Sequence, residues 1–361
     1  MSVNPEQILG VLSDVTDPNT KKKLPVTAKN CEIIIEGKDV NITVPLGYPS
    51  HNGESELKKR IETALGALGL SLKSLNQNTK IVSHAVQPGL KPLPNVRNII
   101  AVASGKGGVG KSTTAVNIAL ALHKQGARTG LLDADIYGPS VPIMLGLSGK
   151  PKSQDGKTME PLVGHGLQAN SIGFLIEEDS PAIWRGPMVT QALTQLLNQT
   201  AWDDLDYLIV DMPPGTGDIA LTMAQKVPLT GAVIVTTPQD LALADARRGL
   251  RMFQKVNVPV LGVVENMSVH VCSQCGHAEP IFGEHGGRDM AAEFNLPWLG
   301  ALPLQMAIRT QTDSGQPSVV SDPDGDAARA YHEIAQRIAA NVAALPRDMS
   351  AKMPTVVARK A

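Results

Sequence analysis

Hydrophobic and polar positions along the chain fall into two regimes. Near the start, Ile8, Leu9 and Leu12 recur at helical spacing behind Pro5, a residue that opens a helix without losing a needed hydrogen bond. The stretch CEIIIEGKDVNITVPL, Cys31 to Leu46, holds two β-branched runs around Glu36-Gly37-Lys38-Asp39, the pattern of a hairpin. ESELKKRIETALGALG then sets Leu57, Ile61, Leu65 and Leu68 on one helical stripe. These segments predict a small α+β unit over residues 1–86. QPGLKPLPN, residues 87–95, carries three prolines and predicts a stiff extended linker. From Arg97 onward the pattern changes. NIIAVAS, TGLLDAD, DYLIVDM, GAVIVTT, PVLGVVEN and WLGALP are short apolar runs, with helical stretches such as KSTTAVNIALALHKQ between most of them. Near-continuous apolar strands alternating with helices imply a parallel sheet covered on both faces. The expected fold is therefore α/β, a mostly parallel three-layer domain over residues 96–345 behind the small unit. The remainder, 346–361, lacks an amphipathic period and is expected to be mobile.

Composition narrows the function. With 361 residues and about 150 per domain, two domains are expected. Lys and Arg number 33 against 34 Asp and Glu, a net charge of −1, which weighs against chain-wide affinity for nucleic acid or an anionic membrane. Hydrophobic residues at 42% suffice for a sizeable core, and aromatics at 3% disfavour base-stacking platforms. The start, MSVNPEQILG, shows no charged segment followed by an apolar one, and no apolar run approaches the ~18 residues of a membrane helix. A cytoplasmic location is expected. Thiols stay reduced there, so the close pair Cys272 and Cys275 points to metal or redox chemistry.

SGKGGVGKST, Ser104 to Thr113, fits the phosphate-loop pattern and lies between an expected strand and an expected helix. Gly105, Lys106, Gly107, Gly108, Val109, Gly110, Lys111, Ser112 and Thr113 are the candidate nucleotide-binding residues. Backbone N–H groups of such a loop curl around phosphate oxygens, and the following helix turns its positive end to the same anion. Lys111 is expected to reach the β and γ phosphates of ATP, and the Ser112 hydroxyl to coordinate Mg²⁺.

Two acidic segments suit the same site. In LLDADIYG, Asp133 and Asp135 are two apart at the end of a strand, so both carboxylates leave one side of the chain. In LIVDMPPGTGD, Asp211 ends an apolar strand in the Walker B manner and is expected to hold Mg²⁺ directly or through water. The Pro213-Pro214-Gly215-Thr216-Gly217-Asp218 segment is rigid and then flexible, as a γ-phosphate-sensing switch requires. Asn266, just past PVLGVVEN, has two readings, an amide that contacts adenine and a turn residue.

The cysteines lie in a segment with His270, Cys272, Cys275 and His277. C-x-x-C spacing lets both sulfurs face one metal. Four readings stand side by side: a zinc knuckle completed by the histidines, a redox dithiol, a chance pair of thiols, and half of a [4Fe–4S] site. The last follows from counting, since such a cluster takes four thiolates and two chains about a two-fold axis supply them.

Several of these motifs resemble known families. GKGGVGKST with Lys106 is similar to the deviant P-loop ATPases, the class of MinD, ParA and nitrogenase iron protein. That resemblance implies a homodimer sandwiching two nucleotides, with Lys106 acting across it as a catalytic residue beside Lys111. It also implies that Asp135 orients the attacking water and Asp133 helps place Mg²⁺. GKGGVGKST, DADIYGPS, WRGPM, DMPPGTGD and ENMS followed by CSQCG together resemble the Mrp/ApbC-type iron–sulfur cluster carriers. The first 86 residues are similar to the iron–sulfur-assembly domain often fused ahead of them, with Asp17-Pro18 at its D-P motif. Tyr48-Pro49 stands in the region of that domain's Cys-Pro pair, and Cys31 reads as a core residue. The resemblance implies an ATP hydrolase that binds a [4Fe–4S] cluster and passes it from a scaffold to apo-protein recipients, without nucleic acid or membrane. The alternative from another class is a MinD- or ParA-like positioning ATPase acting on membrane or DNA.

Overall fold

The computed structural model describes residues 3–50, 56–175, 186–272 and 274–349. Trp184 and Arg185 of the WRGPM motif lie outside the described residues.

The N-terminal unit begins with α1 (Pro5–Asp14), whose Asn4 side chain accepts the Gln7 amide while Gln7 answers to the Asn4 amide, a reciprocal cap. Ile8 and Leu12 are its buried face. β1 (Glu32–Glu36) and β2 (Asp39–Leu46) form the expected antiparallel hairpin, with Glu36 opposite Asp39. α2 (Glu56–Gly66) buries Leu57, Ile61 and Leu65. A third strand, β3 (Ser71–Thr79), lies parallel to β2 and completes a three-stranded sheet. Its SLKSLNQNT sequence is polar and half-exposed, so its apolar pattern is too weak to mark a strand.

The larger sheet has eight strands. Its strands are β4 (Val96–Ser104), β5 (Thr129–Asp133), β6 (Leu162–Gly164), β7 (Leu167–Ser171), β8 (Leu205–Asp211), β9 (Gly231–Thr236), β10 (Val260–Glu265) and, beyond the small β11 (His270–Val271) and β12 (Ala278–Glu279) pair, β13 (Trp298–Ala301). The order is β13-β10-β9-β4-β8-β5-β7-β6. Among these, only the β6–β7 pairing is antiparallel. β4 is central, fully buried over most of its length, and followed by α3 (Lys111–Lys124). The remaining helices are α4 (Val141–Met144), α5 (Gly186–Gln199), α6 (Asp218–Lys226), α7 (Asp240–Lys255), α8 (Gly286–Glu293), α9 (Met306–Asp313), α10 (Ser318–Ser321) and α11 (Asp326–Ala343). Parallel strands align their C-terminal ends along one edge, and α/β proteins place ligands there. β4, β5, β8 and β10 end at the phosphate loop, Asp133, Asp211 and Glu265 respectively.

β6 and β7 do not follow from the apolar pattern. β7 reads LQANS, and its buried Asn170 and Ser171 spend their side chains on Thr200 and Asp133. α11 packs against α3 on one side, and its C-terminal half meets the N-terminal unit, where Gln336 donates to Ser50 at 2.7 Å and Lys22 to the Ala344 carbonyl at 3.2 Å. A single hydrophobic cluster runs from Ile8 and Ile42 to Ile338 and Val342. The proline-rich stretch is also tied down: Gln87 is buried and donates to the Ala224 and Val227 carbonyls at the end of α6. The expectation of a mobile segment directly after Leu345 needs correction. Ala85 donates to the Pro346 carbonyl and Asp348 to that of Ser83, so residues 346–348 pair with 83–85. Residues 350–361 lie outside the described residues.

Within the small unit, Tyr48 and Asp17 form a buried pair. The Tyr48 hydroxyl donates to both Asp17 carboxylate oxygens at 2.9 Å. The Asn19 amide and the Thr20 hydroxyl add to the same carboxylate. Burial and the adjacent Asp17 push the Tyr48 phenol above its ordinary range, so the hydroxyl remains a donor at neutral pH. Cys31 is buried, with its thiol pushed up by desolvation, as a core residue should be. Replacing Tyr48→Phe should lower stability by about 1–2 kcal/mol, because a buried carboxylate loses a donor. A lower midpoint in a urea titration, with unchanged slope, is the expected reading.

Candidate functional site

The β4–α3 turn builds the first part of the site. α3 starts at Gly110, whose φ of 80° lies in the left-handed region, and its first turn has no side-chain cap. Those N–H groups are left for an anion. Gly105 and Gly110 are required by crowding. A Cβ on Gly105 would stand 2.1 Å from the Asp245 carbonyl carbon, and one on Gly110 would stand 2.1 Å from the Asn266 amide nitrogen. Gly107 and Gly108 face open space. They line a cavity of about 290 Å³ together with Lys111, Ser112, Thr113, Asp135 and Pro214.

Sheet register brings the acids to this cavity. Asp211 lies opposite Val102 of β4, and Asp133 opposite Asp211. Lys111 is buried, and its ammonium stands 2.5 Å from Asp211 Oδ1, 3.2 Å from Ser112 Oγ and 3.8 Å from Asp135 Oδ2. The switch segment is pinned beside them, since Met212 donates to Val102 and Gly215 to Ser104. Asp135 lines the cavity, with its carboxyl pushed up by burial and by Asp211 and pulled down by Lys111.

Asp133 departs from its expected place beside Mg²⁺. It is fully buried, and both oxygens are committed. Oδ1 accepts the Asp135 amide at 3.1 Å, and Oδ2 accepts the Ser140 and Val141 amides and the Ser171 hydroxyl at 3.1, 3.2 and 3.0 Å. Burial and the neighbouring Asp211 raise its pKa to about 7, against the pull of those donors. Its geometry braces the Asp135–Val141 loop from below. The adenine contact expected of Asn266 also meets a different geometry. This residue is buried, donates to the Val109 carbonyl at 2.9 Å and is absent from the cavity lining. The amide supports the phosphate loop from the β10 end. Lys106 is half-buried, and its ammonium has no partner among the described residues.

The sequence reading missed Ser140 and Glu265. Ser140 follows the DADIYGP run and lines the cavity. Its hydroxyl and Asp211 Oδ2 are buried without a hydrogen-bond partner among the described residues. The carboxylate of Asp211 and the hydroxyl of Ser112, both within reach of the Lys111 ammonium, are oxygen donors of the kind Mg²⁺ takes. ATP and Mg²⁺ therefore fit the residues present.

The cysteines sit on a hairpin. β11 and β12 pair antiparallel, His270 opposite Glu279. Cys272 donates its amide to the His277 carbonyl, and Gly276 donates to that of Cys272. The turn aims the Gln274 and Cys275 amides at the Cys272 sulfur, which holds its pKa below the ordinary thiol value. Cys272 is half-exposed and Cys275 exposed. Among the described residues, no group of three or more His, Cys, Asp and Glu is placed to hold a metal ion.

A phosphate loop, a buried lysine–aspartate pair and a parallel sheet of this order define a P-loop NTPase of the MinD/ParA-like class. The chain belongs to the ParA family described as NUBPL iron-transfer P-loop NTPase, whose pattern matches residues 95–339, and residues 5–71 match that of an iron-sulfur cluster assembly protein. It is 47% identical over 340 residues to the iron-sulfur cluster carrier protein of Escherichia coli (strain K12), covering 93% of this chain and 91% of that one. It is 51% identical over 282 residues to the iron-sulfur cluster transfer protein NUBPL of Mus musculus, covering 77% and 88%. The nucleotide-binding protein of Archaeoglobus fulgidus, solved in complex with ADP, superposes with a TM-score of 0.56 at 36% identity, covering 64% of this chain and 90% of that one. No described helix is long and apolar enough to cross a membrane.

Asn266→Ala should leave the Val109 carbonyl unpaired and weaken nucleotide binding about 10-fold, the equivalent of one lost buried hydrogen bond. Calorimetric titration with ATP checks this, and unchanged affinity would remove the amide from the site.

Proposed function

We propose that the protein is an ATP-hydrolysing carrier of [4Fe–4S] clusters that works as a homodimer in the cytoplasm and delivers its cargo to apo-proteins. One observation carries the reading. Cys272 and Cys275 are presented at the surface on one hairpin, with a lowered thiol pKa at Cys272 and no further metal-binding group gathered beside them among the described residues. Two thiolates are half of what such a cluster takes, and a second copy about a two-fold axis supplies the rest. A site shared across an interface comes apart when the interface opens, which suits a cargo that must leave.

The nucleotide part follows from the cavity. The uncapped amides of α3 and the open glycines 107 and 108 cradle the phosphates. Ser112 and Asp211 are the residues to hold Mg²⁺, which supplies charge neutralisation at the phosphates when bound. Lys111 pairs with Asp211 and turns to the β and γ phosphates once ATP enters. Asp135, on the cavity wall, orients the water that attacks the γ-phosphoryl group as ADP leaves. Lys106, whose ammonium has no partner among the described residues, reaches the nucleotide of the facing copy. The switch segment from Asp211 to Gly217 changes the interface as the γ-phosphate is lost.

Two measurements test this reading. Replacing Cys272→Ser and Cys275→Ser together should reduce iron and sulfide to background after anaerobic reconstitution; undiminished cluster would overturn the ligand assignment. Lys111→Ala should lower ATP turnover by at least about 100-fold, the scale of losing one preorganised donor to the charge that develops in the transition state. A rate close to that of the parent would overturn the nucleotide assignment.

A further inference from the structure

One buried acid plays no part in the reading above. Glu265 ends β10 and is only 3% exposed. Its backbone belongs to the sheet, opposite Thr236 of β9 and Ala301 of β13, and its carbonyl accepts the Leu302 amide at 2.8 Å. Its carboxylate leaves the sheet and accepts the Gly287 amide at 2.6 Å, in the first turn of α8, with the Arg288 amide adding to it. The fit is tight: a Cβ on Gly287 would stand 3.1 Å from both Cβ and Oε2 of Glu265. A helix start is ordinarily capped by its own N-cap side chain. Here the N-cap is His285, left-handed and without a capping bond. The cap comes instead from a strand end 22 positions earlier.

The chain between those two anchors is the segment that bears the cysteines. It leaves the sheet at Asn266, whose amide holds the Val109 carbonyl of the phosphate loop. Ser268 and Val269 then bond to Leu302 and Leu304, the β11–β12 hairpin carries Cys272 and Cys275, and the chain returns at Gly286. Adjacent residues thus tie the entry of this segment to the nucleotide loop and its exit to the same strand end.

We propose that Glu265 is a positioning residue that transmits the nucleotide state of the phosphate loop to the cysteine hairpin, by holding both ends of the 266–287 segment to one strand end. It rests on the proposed carrier reading only for its consequence, retention of the cluster. The coupling itself belongs to the cluster-free chain and is measured there.

Amide hydrogen exchange over residues 268–287 of the cluster-free protein, with and without Mg-ATP, reads it. Each variant is held at an ATP concentration that saturates its own titration. In the parent, ATP should change exchange in this segment by at least about 5-fold, the lower end of ordinary coupling between sites. In Glu265→Ala that ratio should fall close to one, and Glu265→Gln, which keeps an acceptor oxygen for the helix amides, should retain most of it. A merely structural brace would speed exchange equally with and without ATP and leave the ratio intact. That result, or the absence of an ATP effect in the parent, would overturn the proposal. Iron binding at Cys272 and Cys275 is measured separately, so failure of the ligand assignment leaves the exchange result standing.

Discussion

The site depends on one ion pair, Lys111 with Asp211, closed at 2.5 Å where both groups are almost wholly removed from water. Taking two charges out of water costs several kcal/mol each, and their attraction recovers that only with good geometry and further hydrogen bonds. Here the geometry comes from the sheet. β4 and β8 are neighbours in register, so the loop after one and the acid ending the other meet without adjustment. Asp211 keeps one oxygen without a partner among the described residues.

Around that pair, three aspartates that look alike in the sequence diverge by the partners they meet. Asp211 faces a lysine, Asp135 lines the cavity, and Asp133 is sealed beneath the loop with both oxygens accepting hydrogen bonds. Burial first, and then repulsion from Asp211 on the adjacent strand end, raise the Asp133 pKa to about 7 despite four donors. The brace it provides sets the Asp135–Val141 loop, and through it the wall of the cavity.

Cys272 stands only six positions beyond Asn266, so the nucleotide loop and the candidate cluster ligands share one strand end. On the proposed reading this short path lets ATP reach the cargo without a long relay. The N-terminal unit joins from the other side, through α11 and then α3, the helix that starts at the phosphate loop. Its Tyr48 spends its hydroxyl on the Asp17 of the D-P motif, a structural use that supplies no thiol there.

Much of this was legible in the residues themselves. Near-continuous apolar runs specify buried parallel strands, because only strands covered on both faces can be apolar throughout. The phosphate loop, Asp211 and the C-x-x-C spacing are local patterns whose chemistry requires residues close in sequence. The elements that escaped notice, β3, β7 and the pairing of 346–348 with 83–85, are polar or short and form because distant partners satisfy them. For the same reason only the tertiary structure separated Asp133 from Asp135, turned Asn266 to the Val109 carbonyl and set Glu265 on α8. Each of those assignments is a matter of which buried atom has a partner, and partners are chosen across strands rather than along the chain.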